Sequence, residues 1–421
     1  MFPVDPSQNA KGRLLPPDVP FRFFGAAIFF HILAWLVLAL LAKPSQGLTW
    51  PVLAALHLIT LGVLAMVATG ASFQLLPVAT KRSVRSPNLC RSIFWMIAGG
   101  VLAFALGLLS ELPWLVAIGG VSVALGLVVT AVLLADNLLG VDDMPVVTGH
   151  AWIATLSLVA VEALGGVLAL NLVFGFLGAR SPLVLAHGLL ATFGFMGMLA
   201  SGLSTILLPM FALSLAPSER LGRMALACNG TGLLLAVAGA LVEQPYLMAL
   251  GGALGLCGMG LLGWSLVQMF KKRMRKRTGF FFLPIWTGAA LAPVSILSGL
   301  AALFDLFPNA GLLFIWLTVA GWLLTFLLGV LQRIMPFLAS MHSATPFGRT
   351  PLLSQLMAEG LTKTHFVFHL IALVAVGAGL VLDSQILVRL GAVSGLLGAL
   401  AFAGYGIELY RRLRRFKSES I

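Results

Sequence analysis

The chain has 421 residues, of which 60% are hydrophobic and 10% charged, with a mean hydropathy of +1.04. A soluble domain needs far more polar surface than that. The net charge of +12 does not point to nucleic acid, because the basic residues flank apolar spans and leave no soluble domain to bind it.

The stretch from Met1 to Val19 is polar and proline-rich. It lacks the basic-then-apolar order of a cleaved signal peptide, so the first apolar run is expected to stay as a membrane anchor. A spanning helix needs roughly 20 apolar residues. Runs of that length fall at 22–42, 51–76, 91–110, 112–134, 149–174, 183–208, 223–242, 246–269, 281–304, 311–335, 363–382 and 385–409. Short breaks carrying Pro, Gly or charge separate them. Helices are the natural reading, since lipid offers no hydrogen-bond partner to an open backbone. The expected fold class is an all-α integral membrane protein of about 12 transmembrane helices. It divides into a tail over 1–21, one polytopic domain over 22–410 and a basic tail over 411–421.

Lys and Arg set the direction of the spans. Counting the N-terminus, every second loop and the C-terminus as one side, 23 of the 26 basic residues fall there. They include Lys11, Arg13, Arg85, Arg349 and the run from Lys271 to Arg277, which contains Arg275. The other side holds only Lys43, Arg180 and Arg389. The first side is therefore read as cytoplasmic, in a bacterial-type inner membrane with both termini inside. Gln46, Glu111, Glu243, Asp305 and Asp383 are expected to face outward, and Lys81, Asp142, Lys272 and His342 inward.

The spans contain a repeat. Thr60, Gly62, Gly70, Leu75, Leu76 and Pro77 match Thr192, Gly194, Gly202, Leu207, Leu208 and Pro209, each pair 132 positions apart. Arg91 and Gly107 match Arg223 and Gly239 at the same offset. Gly321, Gly329 and Pro336 repeat the spacing a third time. An insertion of about a dozen residues then follows, roughly 347–360. The unit is four helices, giving three pseudo-repeats at about 22–135, 149–270 and 280–410. Small residues at this spacing mark close helix packing, and each terminal Pro is expected to break its helix.

Three four-helix units resemble the layout of the heme–copper oxidase catalytic subunit. The chain is also similar to the twelve-helix nitric-oxide-response heme/copper membrane proteins of the NnrS type. PFRFFGAAIFF (Pro20 to Phe30), HLITLGVLAMVATG (His57 to Gly70) and AHGLLATFGFMGMLASG (Ala186 to Gly202) carry the resemblance. It implies axial ligation of a heme b by His57, with His187 or His31 as second ligand. The departures are informative. The sixth span has His187 but no Tyr, the seventh opens as RMALACNGTG without His, and the tenth has no His, with Trp316 at the repeat position of His57. Complete oxidase activity is therefore not expected.

Ionisable residues inside spans are costly and often functional. His365 and His369 share one helix face at i, i+4, a spacing that can hold a metal from one side with His342 or His150 as third ligand; the resemblance makes copper the expected metal. Glu162 sits centrally in the fifth span and suits proton relay or a His partner. For each of these groups the alternative is a neutral side chain hydrogen-bonded between helices. No CxxCH motif is present, so a heme would be non-covalent. Cys90, Cys228 and Cys257 are far apart and form no disulfide framework.

Two function classes compete. One is a heme- or copper-binding membrane protein of oxidase-like fold, whose partners are the lipid bilayer and a small diatomic gas such as nitric oxide. The other is a twelve-helix secondary transporter. A divergent terminal oxidase stands behind both. No partner subunit is named by the sequence.

Overall fold

The computed structural model describes residues 14–41, 43, 47–84, 86–274, 276–343 and 350–419. Lys11, Arg13, Gln46, Arg85, Arg275 and Arg349 of the charge map lie outside these residues. Among the described residues the chain is an all-helical, multi-pass membrane protein with twelve helices long and apolar enough to cross a bilayer. They are α1 (Asp18–Leu40), α2 (Trp50–Ala79), α3 (Pro87–Leu109), α4 (Pro113–Leu138), α5 (Pro145–Phe174) and α6 (Ser181–Ala212). The rest are α7 (Glu219–Leu241), α8 (Pro245–Lys271), α9 (Phe282–Leu303), α10 (Ala310–Met341), α11 (Glu359–Val381) and α12 (Gln385–Glu419). The N-terminal boundary differs from the sequence reading because Asp18 opens α1. The basic stretch at the other end is a continuation of α12.

The three pseudo-repeats are visible in local geometry. α3, α7 and α11 each have 23 residues, and α4, α8 and α12 begin at Pro113, Pro245 and Gln385. These starts keep the 132-residue offset and then one of 140, whereas Pro209 and Pro336, before the insertion, are 127 apart; the difference of 13 is the insertion, where a one-turn helix, Leu353–Leu356, forms. Each hairpin turns through a left-handed acidic residue: Glu111 (φ 53°), Glu243 (φ 54°) and Asp383 (φ 49°). In each, an amide reaches back across the turn at 2.8 Å: Leu112 to Gly107, Gln244 to Gly239, and Ser384 to Gly379. These bonds satisfy carbonyls that a helix end leaves open.

The second helix of every unit is interrupted by a π-segment: Thr60–Ala65 in α2, Leu190–Gly197 in α6 and Leu317–Leu324 in α10. All three end at the same register position, twelve residues before Pro77, Pro209 and Pro336. No residue pattern in the sequence marks these segments. The prolines, expected to break their helices, each lie inside a helix that runs on to Ala79, Ala212 or Met341. Proline removes one backbone donor near the helix end, and a single lost bond there bends rather than ends the helix. The repeated glycines receive the first helix of each unit. A Cβ on Gly70 would lie 2.7 Å from Phe23 Cβ, on Gly202 2.8 Å from His150 Cβ, and on Gly329 2.9 Å from Ile285 Cγ1.

The chain folds as two compact units, one of Met1–Phe23 with Ala65–Lys276, the other of Phe24–Leu64 with Arg277–Ile421. The first contains the hairpins α3–α4 and α7–α8 together with α5 and α6. The second contains most of α1, the first part of α2, and α9 to α12.

Candidate functional site: a buried imidazole cluster

In the second unit, α11 presents His365 and His369 one turn apart, with rings stacked at 5.6 Å and 28°. His31 of α1 meets His365 edge-on at 6.0 Å and 72°. Phe402 of α12 packs 5.0 Å from His365 and 6.4 Å from His31. All three imidazoles are buried, at 1–2% exposure. Small residues make the site: Gly398 leaves space against the backbone of His365 and His369, and Gly395 receives the Trp35 ring.

The hydrogen bonds determine which ring nitrogen carries the proton. The Trp35 indole N–H can only donate, and it donates to His31 Nε2 at 2.9 Å. His31 is therefore neutral with its proton on Nδ1, which has no partner among the described residues. The Gly398 carbonyl can only accept, so His365 donates from Nδ1 at 3.0 Å and keeps its lone pair on Nε2. Thr325 spends its one hydroxyl proton on the Ala320 carbonyl at 2.8 Å. Its oxygen then accepts from His369 Nε2 at 2.7 Å, leaving that ring's lone pair on Nδ1. Ala320 belongs to the π-segment of α10, so the helix irregularity and the cluster are joined by one hydroxyl. π-Bulges are frequent at functional sites.

The other sequence candidates lie elsewhere. His57 is half-buried on α2 and donates from Nδ1 to the Leu53 carbonyl at 2.9 Å, which puts its lone pair on Nε2. It precedes the π-segment by three residues. An apolar groove in the same unit is lined by Val52, Ala55, Leu56, Ile315, Trp316 and Val319 among others; His57 is not part of that lining. His187 is in the first unit, where it donates to the Val161 carbonyl at 3.2 Å and lies against Gly165. His150 and Glu162 are buried there on α5; His150 donates to the Val146 carbonyl at 2.7 Å, and its Nε2 has no partner among the described residues. His342 caps the C-terminus of α10, where partial burial holds its pKa below the ordinary imidazole value. Among the described residues no three His, Cys, Asp or Glu side chains converge closely enough to hold a metal ion.

The structure thus joins His31 to the His365–His369 pair, a grouping the sequence reading did not make. No known family model matches the chain, and no curated protein matches it. The repeat supplies an internal comparison instead. At the 132 and 140 offsets, His365 corresponds to Ala225 and Ile93, His369 to Asn229 and Ile97, and Gly398 to Gly258 and Gly126. The hairpin frame therefore forms without imidazole at these positions. Trp35, Thr325 and Phe402 complete the site and were also missed. Trp35 alone left a signal, standing four residues after His31 on the same helix face.

Proposed function

We propose that this chain is a membrane protein that binds heme, copper or both, with an oxidase-like layout but without the full oxidase ligand set. The observation that carries the reading is the placement of His365 and His369 where the other two copies of the same hairpin have Ile, Ala or Asn. A buried polar group that the frame does not need is costly to keep, and so speaks for function rather than packing.

In this reading His57 would hold a non-covalent heme b through its imidazole. Its Nδ1 proton is held by its own helix and its Nε2 lone pair is the donor that iron requires. A heme bound there supplies an iron that can take a diatomic gas such as nitric oxide. For copper the fit is narrower: His365 Nε2 and His369 Nδ1 supply two imidazole donors, and His31 offers an N–H in place of a lone pair. The orientation follows the positive-inside rule, with both ends in the cytoplasm of a bacterial-type inner membrane.

A reduced-minus-oxidised visible spectrum of heme-replete purified protein, together with its copper content, tests the proposal. Wild type is expected to show a Soret band that His57→Ala loses, and His365→Ile with His369→Ile is expected to lose copper and keep the band. Wild type with neither a Soret band nor copper would overturn the proposal and leave the transporter reading ahead.

A further inference from the structure

Cys228 and Cys257 are 29 positions apart in sequence, yet their Sγ atoms lie 4.0 Å apart across the α7–α8 hairpin of the first unit. The approach is built into the frame. Gly232 and Gly251 bring the two backbones together, and Gly258 leaves the space that the Asn229 side chain and the Ala225 carbonyl occupy. Cys257 is exposed and Cys228 partly so, while Cys90 is buried. The register positions equivalent to Cys257 in the other two hairpins are Leu125 and Leu397, both exposed large apolar residues near the middle of apolar helices. By its place in an apolar membrane-spanning helix, that face is inferred to meet hydrocarbon rather than water.

We propose that Cys228 and Cys257 form a redox-active dithiol, closed to a disulfide by a lipid-soluble two-electron acceptor of the quinone class. A disulfide needs its sulfurs about 2 Å apart. The separation here is 4.0 Å, so closure requires the exposed Cys257 and the partly exposed Cys228 side chains to turn toward each other. In the reaction one S–S bond forms and two S–H bonds break. The two thiols lose two electrons and two protons, and the quinone takes up both and leaves as the quinol. The product ties α7 to α8 near mid-membrane, and a lipid-soluble dithiol reverses it. This assignment does not depend on heme or copper, because His31, His57, His365 and His369 lie in the other unit.

The test uses the full chain in proteoliposomes treated with tetramethylbenzoquinone, whose ring carbons are blocked against thiol addition. Dipyridyl disulfide serves as a second, stronger oxidant. After denaturing alkylation, the oxidised chain is expected to lose the mass of two hydrogens and to carry one alkyl group, on Cys90, in place of three. Peptide mapping should join the Cys228 and Cys257 segments, and dithiothreitol should restore three alkyl groups. Cys228→Ser and Cys257→Ser should each keep two alkylation sites after the quinone, and after dipyridyl disulfide should show at most added thiopyridyl mass on the remaining thiol, never the loss of two hydrogens. Three alkyl groups after both oxidants would overturn the proposal, as would a bridge that involves Cys90 or a second chain. A bridge formed by dipyridyl disulfide alone would overturn the quinone class of oxidant.

Discussion

The hairpins α3–α4 and α11–α12 have the same start register, the same left-handed acidic turn and the same backbone bond across it, yet they carry opposite chemistry. In the first, Ile93 and Ile97 face Gly126; in the second, His365 and His369 face Gly398. Even a peripheral bond is copied: Ser122 donates to the Met96 carbonyl at 2.9 Å and Ser394 to the Phe368 carbonyl at 2.8 Å. The comparison separates scaffold from site. Glycine contacts and turn geometry build the hairpin, and imidazoles are an addition that one copy can hold because α1 and α10 bring it Trp35 and Thr325. Fold and function are written in different residues of one element.

The strongest way to break this comparison is to attack the shared frame. Gly119, Gly251 and Gly391 occupy one register position, and a Cβ on any of them would come within 2.8 Å of backbone or packed side-chain atoms of the partner helix. Val at each should lower the thermal unfolding midpoint in detergent by the equivalent of about 3 kcal/mol or more, since backbone cannot yield as a side chain can. A loss in one copy only would show that the frames are not equivalent.

Exchange of the chemistry comes next. Ile93→His with Ile97→His should cost about 1–3 kcal/mol for each ring left without a partner. The reverse change, His365→Ile with His369→Ile, should cost only about 1 kcal/mol, the worth of two interhelical hydrogen bonds in a membrane interior. Chemical denaturation of the two double variants compares them directly, and equal losses would mean that the imidazoles hold the fold. Trp35→Phe probes the added residues from the α1 side. It strips His31 Nε2 of its donor and should cost about 1–2 kcal/mol. The ring is then free to change tautomer, which the nitrogen shifts of ¹⁵N-labelled histidine would register, and an unchanged spectrum would refute the assigned hydrogen bond. Smallest of all, Ser122→Ala and Ser394→Ala should each cost about 0.6 kcal/mol, and by the same amount. Unequal values would mean the two hairpins differ in packing as well as chemistry.

Much of this was readable without coordinates, and the reason is the solvent. A bilayer admits only helices or closed barrels, and apolar runs of about 20 residues or more select the helix, so composition and charge alone yield twelve helices. The glycines and prolines at 132-residue spacing exposed the repeat, because close helix contacts and chain bends admit few other residues. The i, i+4 rule likewise put His365 and His369 on one face. Three things required the tertiary structure. The π-segments arise from a slip in hydrogen-bond register, which any of these apolar residues allows, so no residue type marks them. The union of His31 with α11 and the meeting of Cys228 with Cys257 depend on which helix faces which, and in apolar sequence nearly every face looks alike. The partners that orient the imidazoles — an indole, a hydroxyl and a glycine carbonyl — are common residues whose roles come only from where the helices bring them.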